Sequence, residues 1–286
     1  MKRINVLKTY KLFINGKHCR TESGRFFPFK DSSGNLFANI SMASRKDLRN
    51  SVAAARKAQL SWMNISALNR GQILYRIAEM LEDRKKQFID YLMISGSSKS
   101  ESKKEVDDTI DRLIYYAGWS DKYQQIFSSV NPVSTEHLNF TLLEPSGVVS
   151  LIAAKDKPLL SLVSLIAPII VGGNSIVALA SNTNPMIAIS FSEVLSNSDV
   201  PSGVVNILTG DKSELLFHFA THKDIDSIVY CGSDINEIEE IGRLSAENLK
   251  RVHIYSESKW ESDNMQSPYF IKKCQEIKTV WHPTKV

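Results

Sequence analysis

The period of the hydrophobic positions changes along the 286-residue chain, and each change marks a different kind of element. The run "YKLFING" (10–16) alternates and ends in Asn15-Gly16, the pair that favours a type I′ hairpin turn, so a small sheet is expected at the start. Residues 23–41, with Gly24, Pro28 and "DSSGNLFANIS", read as a turn and a short strand. From Ser44, a residue suited to cap a helix, Leu48, Val52, Ala55, Leu60 and Met63 recur at roughly helical intervals. A second helix is predicted over 66–93, with Ile73, Ile77, Met80, Leu81, Phe88 and Leu92 on one stripe and Glu79, Asp83 and Lys86 opposite. After a break at 96–100, a third amphipathic helix is predicted over 101–127. Its aromatics Tyr115, Tyr116, Trp119 and Tyr123 are assigned to core and interface packing.

After Pro132 short strands and helices take turns. Strands are predicted at 148–153, 175–179, 204–208 and 227–230, with helices at about 158–171, 185–197 and 212–221 between them. That alternation implies βαβ units and a parallel sheet covered on both faces. The expected fold is therefore α/β: a Rossmann-like parallel sheet with an amino-terminal helical segment and small antiparallel hairpins. The division expected is a hairpin and helical segment at 1–131, a Rossmann-like domain at 132–260 and a short tail at 261–286.

Composition narrows the function classes. With 43% hydrophobic and 23% charged residues the chain reads as an ordinary globular protein. Its net charge of +4 comes from 35 basic and 31 acidic residues scattered throughout, and no basic motif is interleaved with aromatics, so no nucleic-acid groove is expected. Cys19, Cys231 and Cys274 are widely spaced and odd in number, which fits a reducing compartment, and the expected location is the cytoplasm. The most apolar stretch, 158–173, is too short for a membrane span and contains Pro168, so it reads as a buried helix.

In parallel sheets of this kind ligands gather where strands end and helices begin. Three such ends stand at 154–158, 179–185 and 230–237, and none carries G-x-G-x-x-G. Gly172-Gly173 follows a helix and reads as a left-handed cap. His137, His218, His222 and His253 show no metal spacing. His218 and His222 stand four apart but lack the intervening Glu of a zinc protease, so they read as a solvated helix face.

The motifs "EPSGVVSLIAAKDKPLL", "APIIVGGNSIVALAS", "VPSGVVNILTGD", "SIVYCGS" and "NLKRV" lie in the order and spacing of the cofactor domain of aldehyde dehydrogenases. The resemblance runs from residue 10 to about 257. More narrowly, "KDSSGNL", "YCGS" and "IKTVWHP" resemble the second, catalytically degenerate unit of family 16 aldehyde dehydrogenases. The resemblance implies NAD or NADP as the family cofactor, although none is expected to bind this chain, and a hairpin around 138–146 that pairs protomers. Expected partners are a second copy of this chain or a complete aldehyde dehydrogenase unit. It also implies that the catalytic domain is absent from this chain.

Carried over residue by residue, the resemblance leaves vestigial cofactor contacts at Asp156, Ser181, Gly210, Gly232 and Ser233, and no catalytic residue or metal ligand. Asp156 replaces the family's oxyanion-donating Asn. Loss of such a donor costs on the order of 10²- to 10³-fold in rate, and an ionised carboxylate opposes the developing charge. Leu179, Ala180, Ser181 and Asn182 stand where the family's ribose-binding Lys and Glu are found. Glu237 replaces a Gly beside the pyrophosphate, and with Asp234 it places carboxylates in a first helical turn. Tyr255 replaces the general-base Glu, and a phenol of pKa about 10 is a poor base. Glu257 lies close in sequence, about 7 Å further along a strand. Cys274, on an expected amphipathic tail helix, lacks the Gly-Gln context of the family nucleophile. Three readings follow: a non-catalytic interaction or scaffold unit, an NAD(P)-binding module without turnover, and a fragment of an active aldehyde oxidoreductase.

Overall fold

A two-residue loop closes the first hairpin because Asn15 and Gly16 both accept positive φ, 52° and 71°, in a computed structural model that describes residues 6–256 and 259–284. The opening strands are β1 (Lys8–Tyr10), β2 (Leu12–Ile14) and β3 (Lys17–Cys19), with Ile14 opposite Lys17. The hairpin of β2 and β3 is not a separate small sheet, because β2 adds antiparallel to the edge of the main sheet described below. Two strands, not one, then form over 23–41: β4 (Phe26–Lys30) and β5 (Leu36–Ser41), which join β1 in a three-stranded sheet ordered β1-β5-β4.

Four-residue periodicity gives α1 (Arg45–Trp62), opened by a capping box between Ser44 and Asp47. The helix expected over 66–93 is divided into α2 (Ala67–Asp83) and α3 (Lys85–Ile94). Arg84 leaves helical geometry at φ −95° and ψ 6°, and its guanidinium reaches Glu193 at 3.2 Å. The stripe keeps its apolar period through the bend, so Phe88 and Leu92 remain buried. Likewise 101–127 is divided into α4 (Lys99–Trp119) and α5 (Tyr123–Phe127).

The alternating half is β6 (Ser129–Asn131), β7 (His137–Pro145), β8 (Val148–Ile152), α6 (Leu160–Val171), β9 (Ser175–Leu179), α7 (Pro185–Ser196), β10 (Val205–Leu208), α8 (Lys212–Thr221), β11 (Ser227–Cys231), α9 (Ile235–Ala246) and β12 (Arg251–Tyr255). Strands β12, β11, β8, β9 and β10 run parallel in that order, and β2 and β3 extend the sheet antiparallel. Every residue of β8, β9, β10 and β11 is buried, as a sheet covered on both faces requires. All of α6 is buried too, which explains its continuous apolar run, and Gly173 ends it at φ +88° as a left-handed cap.

The tail departs from the expected helix. A 3-10 turn at Asp263–Met265 and the short α10 (Tyr269–Lys273), capped by Cys274, are its helical parts, and β13 (Gln275–Pro283) follows. β13 pairs antiparallel with β7 over nine residue pairs, from Gln275 opposite Pro145 to Pro283 opposite His137. In place of a hairpin around 138–146, β7 is thus the middle strand of the sheet β13-β7-β6. Between β12 and β13 the chain folds back on the core. Trp260, Met265, Phe270, Ile271 and Cys274 are buried, and the buried Arg112 of α4 donates to the carbonyls of Trp260, at 3.0 Å, and Met265.

Candidate functional site

Strand order reverses at β8: β9 and β10 build outward on one side, β11 and β12 on the other. Loops leaving the two sides diverge there, and they open a cleft of about 730 Å³ at the carboxyl ends of the strands. The loop after β8 brings Lys155 and Asp156 to its wall, both exposed, and Lys157 turns the chain at φ 48°. The loop after β11 contributes Gly232, Ser233 and Asp234.

Three of the five residues singled out as vestigial cofactor contacts, Asp156, Gly232 and Ser233, share this wall. Ser181 is buried beside it, its hydroxyl 2.8 Å from that of Thr183. Thr183 in turn donates to the Lys155 carbonyl at 2.9 Å and ties the loops after β8 and β9 together. Gly210 follows β10 and lies outside the wall. A Cβ there would come within 3.1 Å of the Ala43 backbone nitrogen, so close packing asks for glycine.

Helix amino termini at and beside the cleft carry carboxylates. Asp234 caps α9 by accepting from the amides of Asn236 and Glu237, at 3.0 and 3.2 Å. One turn in, the Glu237 carboxylate accepts from the Tyr230 phenol and from Lys212 Nζ, and that ammonium also lies 5.4 Å from the Tyr230 ring centroid. Burial and the bond to Glu237 push the Tyr230 phenol well above its ordinary range. At α6 the Glu105 carboxylate of α4 accepts from the amides of Leu159 and Leu160, at 3.0 and 3.4 Å. Burial raises the Glu105 carboxyl above its usual value, and those two amides oppose the rise.

Sequence reasoning placed Asp234 and Glu237 in a first helical turn but missed Lys212 and Glu105. Glu105 left a trace: Ser102, Glu105, Thr109 and Arg112 are polar, yet they share the stripe of α4 that packs inward beside Val106 and Leu113.

The groups that could attack or deprotonate are muted. Burial pushes the Cys231 and Cys274 thiols up to about 12, and the half-buried Cys19 thiol is raised for the same reason. Tyr255, at the end of β12, packs edge-on against Phe270 with centroids 5.6 Å apart. Its phenol is pushed far above the ordinary value by burial, with Lys273 Nζ 3.3 Å away. Glu257 lies outside the described residues. Among the described residues no group of three His, Cys, Asp or Glu is placed to hold a metal ion, and no helix is long and apolar enough to cross a membrane.

A doubly wound parallel sheet with its cleft where strand order reverses defines the class: a Rossmann-like α/β protein. Within that class, the model of the aldehyde dehydrogenase family matches residues 20–259, and the chain belongs to that family. Retinal dehydrogenase 2 of Gallus gallus is 33% identical over 258 residues, covering 86% of this chain and 48% of that protein. The cytosolic 10-formyltetrahydrofolate dehydrogenase of Mus musculus is 28% identical over 265 residues, covering 89% and 29%. Among solved structures, an NAD+ complex of an aldehyde dehydrogenase from Bacillus cereus superposes with a TM-score of 0.83 at 26% identity, over 87% of this chain and 51% of that one. The chain thus spans about half, or less, of the length of the relatives it matches.

Proposed function

We propose that this chain is a non-catalytic member of its family that acts through protein contact, as a homodimer or against a complete aldehyde dehydrogenase unit. The observation that carries the reading is the Tyr230–Glu237–Lys212 network. A pyrophosphate approaching the first turn of α9 meets the carboxylates of Asp234 and Glu237, while the nearby cation, Lys212, is already bonded to Glu237. The site does not fit an NAD or NADP pyrophosphate, and no step is routed through either cofactor. Thiols held protonated and a phenol where the family has its general base support the same reading. A cytoplasmic location goes with it, since all three cysteines are unbonded.

The contact surface in this reading is the sheet β13-β7-β6. It leaves Val130 74%, Ile277 64% and Trp281 57% exposed, and β13 is an edge strand whose outer backbone groups pair with no other strand among the described residues. Light scattering on the purified chain tests this. A dimer is expected for the native sequence and a monomer for Ile277→Asp/Trp281→Asp. Titration with NAD and NADP to about 1 mM is expected to give no saturation, and aldehyde oxidation no rate. Saturable binding with turnover overturns the proposal.

The partial coverage favours a second reading, in which this chain is one unit of a longer NAD(P)-dependent aldehyde oxidoreductase. Immunoblotting of the native source decides: a band at 32.1 kDa supports the scaffold, and a band near twice that mass supports the longer enzyme.

A further inference from the structure

We infer that the end of α8 away from the cleft holds a second ligand site, a pocket for a phosphomonoester that carries a planar ring. Lys212 and Ser213 at the start of α8 belong to the cleft. Nine residues on, its last turn faces the first turns of α1 across a hollow of about 340 Å³. Arg45 and Arg49 line this hollow from α1, and His218 of α8 and His222, which caps that helix, line it from the other side. Each pair is spaced by four residues, one helical turn, so both members of a pair stand on one side of their helix.

The charge of this hollow is not cancelled. Glu214, one turn before His218, is paired with Arg25 at 2.7 Å, and Glu22 is paired with Lys46 at 2.9 Å. Among the described residues neither Arg45 nor Arg49 makes an ion pair or a side-chain hydrogen bond. Asp224 is the carboxylate nearest His222, and there its backbone amide donates to His222 Nδ1 at 3.2 Å. The neutral ring therefore carries its proton on Nε2, ready to donate. Two arginines offer planar forks that match phosphate oxygens, and two imidazoles add donors from the opposite wall. A metal is the wrong occupant, because two guanidinium groups repel a cation and no third ligand is present among the described residues.

The hollow is larger than a bare phosphate needs, and its floor is the buried Leu48. At its rim the Phe217 ring is 49% exposed, edge-on to His218 with centroids 5.4 Å apart. An aromatic face in water beside a cationic pocket suits a nucleobase or similar planar group attached to the phosphate.

Calorimetry on the full chain at low salt tests the site, with inorganic phosphate and adenosine 5′-monophosphate as probes. The nucleotide is expected to bind with Kd below about 1 mM and roughly tenfold tighter than phosphate. Arg45→Ala/Arg49→Ala should weaken both probes at least about tenfold, and Arg49→Lys, which keeps charge but not the fork, should fall between. Phe217→Ala should weaken the nucleotide and leave phosphate unchanged. Arg45, Arg49 and Phe217 are all exposed, so thermal melts that match the native protein confirm that each variant is folded. Absence of saturation by the nucleotide at about 10 mM overturns the inference. So does nucleotide binding that survives the double Arg substitution and is lost on substituting Ser233 or Lys212, since that puts the ligand in the cleft.

Discussion

The Glu105 carboxylate on α4 sits 3.0 Å from the Leu159 amide and closes the amino terminus of α6 with a charge supplied from 54 residues away. In a family whose chemistry relies on donors at this strand end, the backbone N–H groups here are already spent on an internal acceptor. The contact is structural, and it makes a stability prediction.

Glu105→Ala leaves the Leu159 and Leu160 amides without their acceptor and should lower unfolding free energy by about 1–3 kcal/mol. The pH dependence has a definite sign. Burial raises the folded carboxyl above its unfolded value of 4.5, so the folded state holds the proton longer, and its stabilising effect is full below that value and fades as pH climbs through the folded pKa. Urea unfolding should therefore show the native advantage over Glu105→Gln shrinking as pH rises above about 4.5.

Removing the anions at α9 should reopen its first turn. Asp234→Ser/Glu237→Gly deletes two carboxylates, each worth about 0.3–1 kcal/mol against a phosphate, so NAD affinity should rise about tenfold, measured by calorimetry. Unchanged affinity would mean that the missing ribose contacts alone exclude the cofactor.

The thiols should be silent in the folded chain. Cys231 and Cys274, buried and raised to about 12, should react with a disulfide reagent only when guanidinium is added, while the half-buried Cys19 reacts slowly beforehand. Counting released chromophore with and without denaturant checks this.

Lys250 supplies a second pH signature. Its buried ammonium donates to the carbonyls of His222 and Ile225, at 2.8 and 2.7 Å, and burial lowers its pKa from 10.5 to about 8. Above about pH 8 the folded chain releases this proton while the unfolded chain keeps it, so this residue's contribution to stability should rise with pH up to about 10.5. Lys250→Met should remove that rise in unfolding experiments at alkaline pH.

Much of the architecture is written in local pattern. Asn15-Gly16 specify a turn with positive φ, Gly173 ends α6, and the continuous apolar runs of β8 and β9 demand a sheet covered on both sides. Long-range relationships were not legible. Nothing near Lys212 in sequence announces Glu237, 25 positions on, and Glu105 reads as a surface charge until α6 is placed against its stripe. The tail was misjudged for a related reason. Its "FIKKCQ" stretch has helical character, but the strand that follows, Gln275–Pro283, is fixed by the distant partner His137–Pro145, and pairing energy outweighs local preference.

That pairing also sets an order of events during synthesis. The parallel core from β8 to β12 can gather while the chain is still leaving the ribosome, because each strand after β8 meets at least one neighbour already made. β7 must wait through all of it with one flank bare, since its partner β13 is made only after β12. Nascent chains therefore carry β7 with one flank open while residues 146–274 are made, a period in which a chaperone or a neighbouring nascent copy has first access to it.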